Sequence, residues 1–237
     1  MTATGRNGTD RIWQDEAMAS PASADGSPAG PLEIRPPRQQ RSRDAWNRVL
    51  NAGVQLLETG GYEAFTIAAV CDLAQVAPRA LYERADNKDA LFLAVYEHGM
   101  ARVRADQAAL ADEERWRDLP PHQLADQIVR EVAAIFFRHG AFLRSVVLIS
   151  GVHPEVKRRG SYYSQELGNL VTSPLMRVQG AIDHPDPETA VQAAFNAVFS
   201  TLVMRTAYGP AFDTPAIDDD TFLQTLSTMV RRYLFRL

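Results

Sequence analysis

Residues 70–92, VCDLAQVAPRALYERADNKDALF, set a short apolar run, a turn-like AQVAPR, a lone Tyr82 and a lone Lys88 ahead of a second apolar run. Upstream of the turn, Ile67 to Ala74 fits a short helix, with Thr66 placed so that its hydroxyl accepts from a first-turn N–H. Past the turn, Pro78 has the fixed φ and missing N–H that suit a first helical position, and the helix it opens carries Arg79, Ala80, Leu81 and Tyr82. The ADNK stretch ends that helix, and Asn87 caps another with Leu91, Phe92 and Val95 on its inner face. Two short helices joined by a tight turn have the shape of a helix-turn-helix.

Before this unit, Trp46, Val49, Leu50, Gly53, Val54 and Leu57 recur at helical spacing, and Gly60-Gly61 stops that helix. Beyond it, helical period continues to the C-terminus, broken by DLPPHQ, SGVHPE, DHPDPET and YGPAFDTPAIDDD. Neither an alternating strand nor a fixed-period repeat emerges, so the class is all-α. Residues 1–37, rich in Ala, Gly, Ser and Pro, read as a disordered tail in which Trp13 is a chance aromatic or a short helical patch. A helix-turn-helix domain then covers 38–88 and a larger helical domain 89–237.

A hydrophobic share of 46% with 23% charged residues is that of a soluble globular chain, and no apolar run reaches the length of a membrane span. The start lacks a secretory signal, which points to the cytoplasm. Cys71, the only cysteine, fits a buried small hydrophobe, and the five histidines show no paired metal-ligand spacing. No catalytic triad, P-loop or dinucleotide signal is present, so the reading is of a non-enzyme without cofactor or metal.

The net charge of −4 argues against a nucleic-acid partner until its distribution is considered. Between Arg35 and Arg48 lie five arginines against one acid, Asp44, while acids gather at 112–114 and 218–220. In a helix-turn-helix the second helix enters the major groove and its first residues, here Pro78, Arg79 and Ala80, face the base edges. Arg79 can then donate a bidentate pair to guanine O6 and N7, Tyr82 a hydroxyl to a phosphate, and Lys88 a charge at the next helix start. Thr66 offers a further phosphate contact, and RPPRQQRSRD, with Arg41 and Arg43, fits either a flexible arm along the DNA or a solvated basic linker. The helix pair alone is weak evidence, being common where no DNA is bound.

Taken over Trp46 to Val95, the arrangement resembles the N-terminal domain of the TetR family of bacterial transcriptional regulators. The matching residues are Gly61, Tyr62, Thr66, Leu81, Tyr82, Asn87, Lys88, Asp89 and Leu91. Three positions depart from the family pattern: Gln75 stands for a turn Gly, Ala77 for a Ser or Thr cap, and Ala85 for an aromatic. The resemblance implies a three-helix DNA-binding domain followed by a larger ligand-binding and dimerisation domain. It further implies a ligand-responsive repressor, released from a palindromic double-stranded operator by a small-molecule effector. The competing reading, motivated by the three departures, is a helical ligand-binding or scaffold protein with a weakened DNA-reading head.

In the larger domain, Phe136, Phe137, Phe142, Tyr162, Tyr163 and Phe195 are candidates to line an apolar cavity, with Arg144 and Gln165 to orient a ligand; aromatic residues at helical spacing also build ordinary cores. The last two helices carry apolar surface wider than one core stripe needs. Phe195, Val198, Phe199 and Leu202, with Leu226, Met229, Val230 and Tyr233, are the candidates for a homodimer face, a plain intrachain core being the other reading of such a pattern.

Overall fold

The computed structural model describes residues 32–35, 40–212 and 215–236. Trp13, Arg38 and nearly all of the predicted tail lie outside them. Ten α-helices and three short 3-10 turns are the regular elements of the described residues, with no strand among them beyond one isolated bridge between Ile34 and Ala85. The all-α reading holds.

Helix α1 (Gln40–Ala64) begins earlier than the apolar pattern announces, so Arg41 and Arg43 sit in its first turn, not in an extended arm. The polar start is held by Gln40, whose amide donates to Asp44 at 3.0 Å. Gly61, at φ 66 and ψ −165, breaks the helix near its end, a conformation that a side chain would strain. Helices α2 (Ile67–Ala74) and α3 (Pro78–Tyr82) follow as expected. Helix α4 (Lys88–Gln107) then runs about 30 Å at 1.5 Å per residue. The remaining helices are α5 (Glu113–Trp116), α6 (Pro121–Arg138), α7 (Gly140–Ser150), α8 (Pro154–Met176), α9 (Pro187–Tyr208) and α10 (Asp219–Leu234). The predicted cap at the start of α4 forms, Asn87 accepting from Ala90 N–H at 2.8 Å, and α9 is capped in the same way by Asp186, which accepts from Thr189 N–H at 3.1 Å.

One continuous apolar core joins head and body, because α1 packs on α2, on α4 and on α7. Two glycines permit the closest approaches to α4. A Cβ at Gly53 of α1 would stand 2.4 Å from a Val95 methyl, and one at Gly99 of α4 would stand 2.2 Å from the Phe142 ring. Gly99→Val gains only a few tenths of a kcal/mol in helix propensity, while overpacking costs about 1–3 kcal/mol. The variant is therefore expected to melt several degrees lower. Gly180→Ala is the control, since a Cβ there meets nothing within 4 Å. A Gly99→Val melt matching the wild type would contradict this packing.

Candidate nucleic-acid interface and ligand groove

Thr66 starts α2 as its cap, its hydroxyl accepting from Ala69 N–H at 3.1 Å. At the other end Gln75 takes the left-handed conformation, φ 53 and ψ 52, where a glycine is easiest. Its backbone N–H reaches the Asp72 and Cys71 carbonyls, and its side-chain amide donates to Asp72 O at 2.7 Å. Arg48 of α1 donates to Ala74 O at 3.2 Å and satisfies a further carbonyl at the end of α2. The turn is thus held by several hydrogen bonds that offset one strained residue.

Ala77 supplies no side-chain cap to α3, but Pro78 at the first helical position needs no partner for a missing N–H. Leu81 is the buried anchor of this short helix. Pro78, Arg79, Ala80 and Tyr82 all face outward. The Arg79 side chain is 93% exposed and lies 4.0 Å from Glu83, a contact too loose to hold it. Lys88 is placed differently: its ammonium stands 4.1 Å over the Tyr62 ring, which fixes its position at the start of α4. Burial, aided by the nearby Asp89 charge, pushes the Tyr62 phenol above its ordinary value, so it stays neutral beneath that cation. Thr66 and the first-turn Arg41 and Arg43 are exposed as well.

The ligand candidates separate into different places. Phe136, Phe137 and Arg144 meet in an open groove of about 990 Å³ between the end of α1, α7 and the end of α9. Leu148 and Ile149 extend its apolar wall, while Glu58, Thr59 and Glu63 form the α1 side. Beside it the Ser145 hydroxyl donates to Leu57 O at 2.6 Å and ties α7 to α1. Phe142 is instead core, its ring against Gly99. Tyr163 is buried in a polar contact with Glu97, which Arg159 also reaches at 2.5 Å; burial and that hydrogen bond raise its phenol pKa. Tyr162 and Gln165 lie on a separate outer groove, and Phe195 packs beside Gly168 in the core.

Among the candidates on α9 and α10, Phe195, Val198, Leu202, Leu226 and Val230 are buried within the chain, and Phe199 is half-buried. Met229 and Tyr233 are exposed, as are Met204, Tyr208 and Phe212 nearby in sequence. Periodicity does not mark the last three, because Met204 and Tyr208 stand on α9 off its buried stripe and Phe212 lies in the 3-10 turn beyond the helix.

Residues 49–95 match the family profile of the bacterial regulatory proteins of the tetR family, which bears out the resemblance read from the sequence. No curated protein matches the chain. Solved structures share its fold at low identity. A candidate TetR-family transcriptional regulator from Mesorhizobium loti MAFF303099 gives a TM-score of 0.64 at 12% identity, covering 82% of this chain and 97% of that one. The transcriptional regulator FadR from Bacillus subtilis, in complex with stearoyl-CoA, gives 0.57 at 12%, covering 80% and 99%. A TetR-like transcriptional regulator from Rhodococcus sp. RHA1 gives 0.53 at 18%, covering 84% and 97%.

Proposed function

From the TetR-type head carried by residues 49–95, we propose that the protein is a homodimeric DNA-binding regulator whose operator affinity is lowered by a small molecule. The observation that carries this reading is the outward set on α3, Arg79 and Tyr82, next to the fixed Lys88. Arg79 reads a base edge in the major groove, and Tyr82 and Lys88 hold phosphates on either side. Thr66 with Arg41 and Arg43 adds backbone contacts. Met229 and Tyr233, with the apolar side chains exposed on α9, form the dimer face, and the dimer presents two α3 helices to successive major grooves about 34–36 Å apart.

The effector site is the groove between α1 and α7. Its volume is at the upper end of the range typical of small-molecule sites, and its exposed Phe137 and Leu148 beside Arg144 suit an amphipathic ligand. A ligand wedged there touches the head through α1 and the body through α7, so it favours one head orientation by its differential affinity. The groove and the dimer face fit a ligand-binding protein without a DNA role equally well; the α3 surface is what favours the DNA reading.

Selection of duplexes by the full chain from a random pool tests the reading. A winner with two related half-sites supports it, and a pool that never enriches sinks it. Stearoyl-CoA, bound by the FadR neighbour, is a first effector probe. Lys88→Gln is expected to weaken binding to every duplex to a similar degree and to reduce the salt slope by about 1, as loss of one phosphate contact does. A slope unchanged by that substitution removes Lys88 from the interface.

A further inference from the structure

Helix α3 has only five residues, too few to persist without tertiary support. Besides Leu81 and packing on α2, that support comes from residues far away in the chain. Ile34 and Ala85 form an antiparallel bridge, and the Arg35 N–H donates to Arg84 O at 3.3 Å. In return the Arg84 guanidinium donates to Arg35 O at 2.8 Å and to the Ser42 hydroxyl at 2.5 Å, joining the end of α3 to the first turn of α1. Ala85 is fully buried, and Ile34 is partly buried against the core cluster that contains it. Bridge partners bring their Cβ atoms close, so Ile34 covers the place where Ala85 itself offers only a methyl. The Arg35–Asp86 ion pair at 2.9 Å is mostly exposed and adds little.

We propose that residues 32–35 are a clasp that positions α3 for DNA, with Ile34 as its anchor and Arg84 as its hub. The inference rests on the DNA-reading role proposed above for α3. The clasp touches no base or phosphate; it closes the end of the recognition helix and fixes that end to α1. Arg35 and Arg84, two cations next to the reading surface, are engaged with protein groups. Residues 32–35 therefore act through Arg79 and Tyr82 without replacing them.

The test uses the full chain with Ile34→Ser, an uncharged change, and Ile34→Val, a conservative one. Amide hydrogen exchange without DNA is measured first. Ile34→Ser is expected to speed exchange at residues 83–85 by about tenfold, as for a local opening, while α9 and α10 keep wild-type protection. Affinity for the selected duplex then falls about five- to tenfold, from loss of partial burial of one aliphatic side chain, with the salt slope unchanged. Ile34→Val restores both readouts. Unchanged exchange at 83–85 overturns the clasp, and so does a salt slope that falls by about 1, which would make the segment a phosphate contact. A wild-type chain that selects no duplex sinks the DNA role instead, and the exchange result still decides whether the segment holds α3.

Discussion

Arg79→Ala lowers affinity for the selected duplex by about 1–3 kcal/mol, roughly five- to 150-fold, and relaxes selectivity at one base pair of each half-site. Both effects follow from its place. The guanidinium is almost wholly exposed in the first turn of α3, and its ion-pair partner among the described residues, Glu83, is at 4.0 Å, so little is lost in releasing it to a guanine. Folding stability is expected to stay within about 0.5 kcal/mol of wild type, as for exposed residues away from caps and cores. That separation matters, because it distinguishes a reader from a residue that merely holds the head together. Tyr82→Phe provides the contrast: it loses one phosphate hydrogen bond and weakens all duplexes without changing which one is preferred. An Arg79→Ala chain with unaltered preference assigns base reading elsewhere.

Phe92→Ala is expected to cost about 3–5 kcal/mol of stability, the range for deleting a buried aromatic. Phe92 is buried on α4, with ring centroids 4.8 Å from Tyr62, 5.7 Å from Phe65 and 5.5 Å from His153. Those partners come from the end of α1, the link to α2 and the turn before α8, so one ring fills the junction of head and body. Its removal leaves a cavity bordered by Tyr62, which carries Lys88 above it, and by the cap of α8. Urea unfolding of the full chain reads the effect. A loss below about 1 kcal/mol would mean that the junction collapses to fill the space.

Local chemistry made much of the head legible in advance. Thr66 and Asn87 cap where a hydroxyl and an amide before a helical period should, and Gln75 does take the positive φ that a turn glycine would have taken. The early start of α1 was not legible, because QRSRD has no apolar period and is held by Gln40–Asp44 and by Arg84 on Ser42. Nor was the Ile34–Ala85 bridge, which joins residues 51 positions apart, as the Arg35–Asp86 pair beside it does. That bridge alters the weight of the departure at Ala85, whose missing bulk is covered by Ile34.

The ligand candidates show a different limit. Helical spacing tells which face an aromatic occupies, but not which neighbour it meets. Phe136 and Phe137 reach the groove beside α1, Phe142 fills the space over Gly99, and Tyr163 is drawn to Glu97. Likewise, an apolar face on α9 wide enough for two partners is largely used by the chain's own core, with Phe199 and Val203 half-buried at its edge. Burial in three dimensions separates these roles where periodicity cannot.

Whether α3 reads a DNA sequence is decided by an anisotropy titration of the full chain against the selected duplex and its scrambled version, between about 50 and 200 mM salt. A reading α3 gives about 10³-fold or greater preference for the selected duplex, in the range of specific protein–DNA complexes, a steep fall of both affinities with salt, and a preference sharply reduced by Arg79→Ala. Equal affinity for the two duplexes at every salt concentration would contradict it.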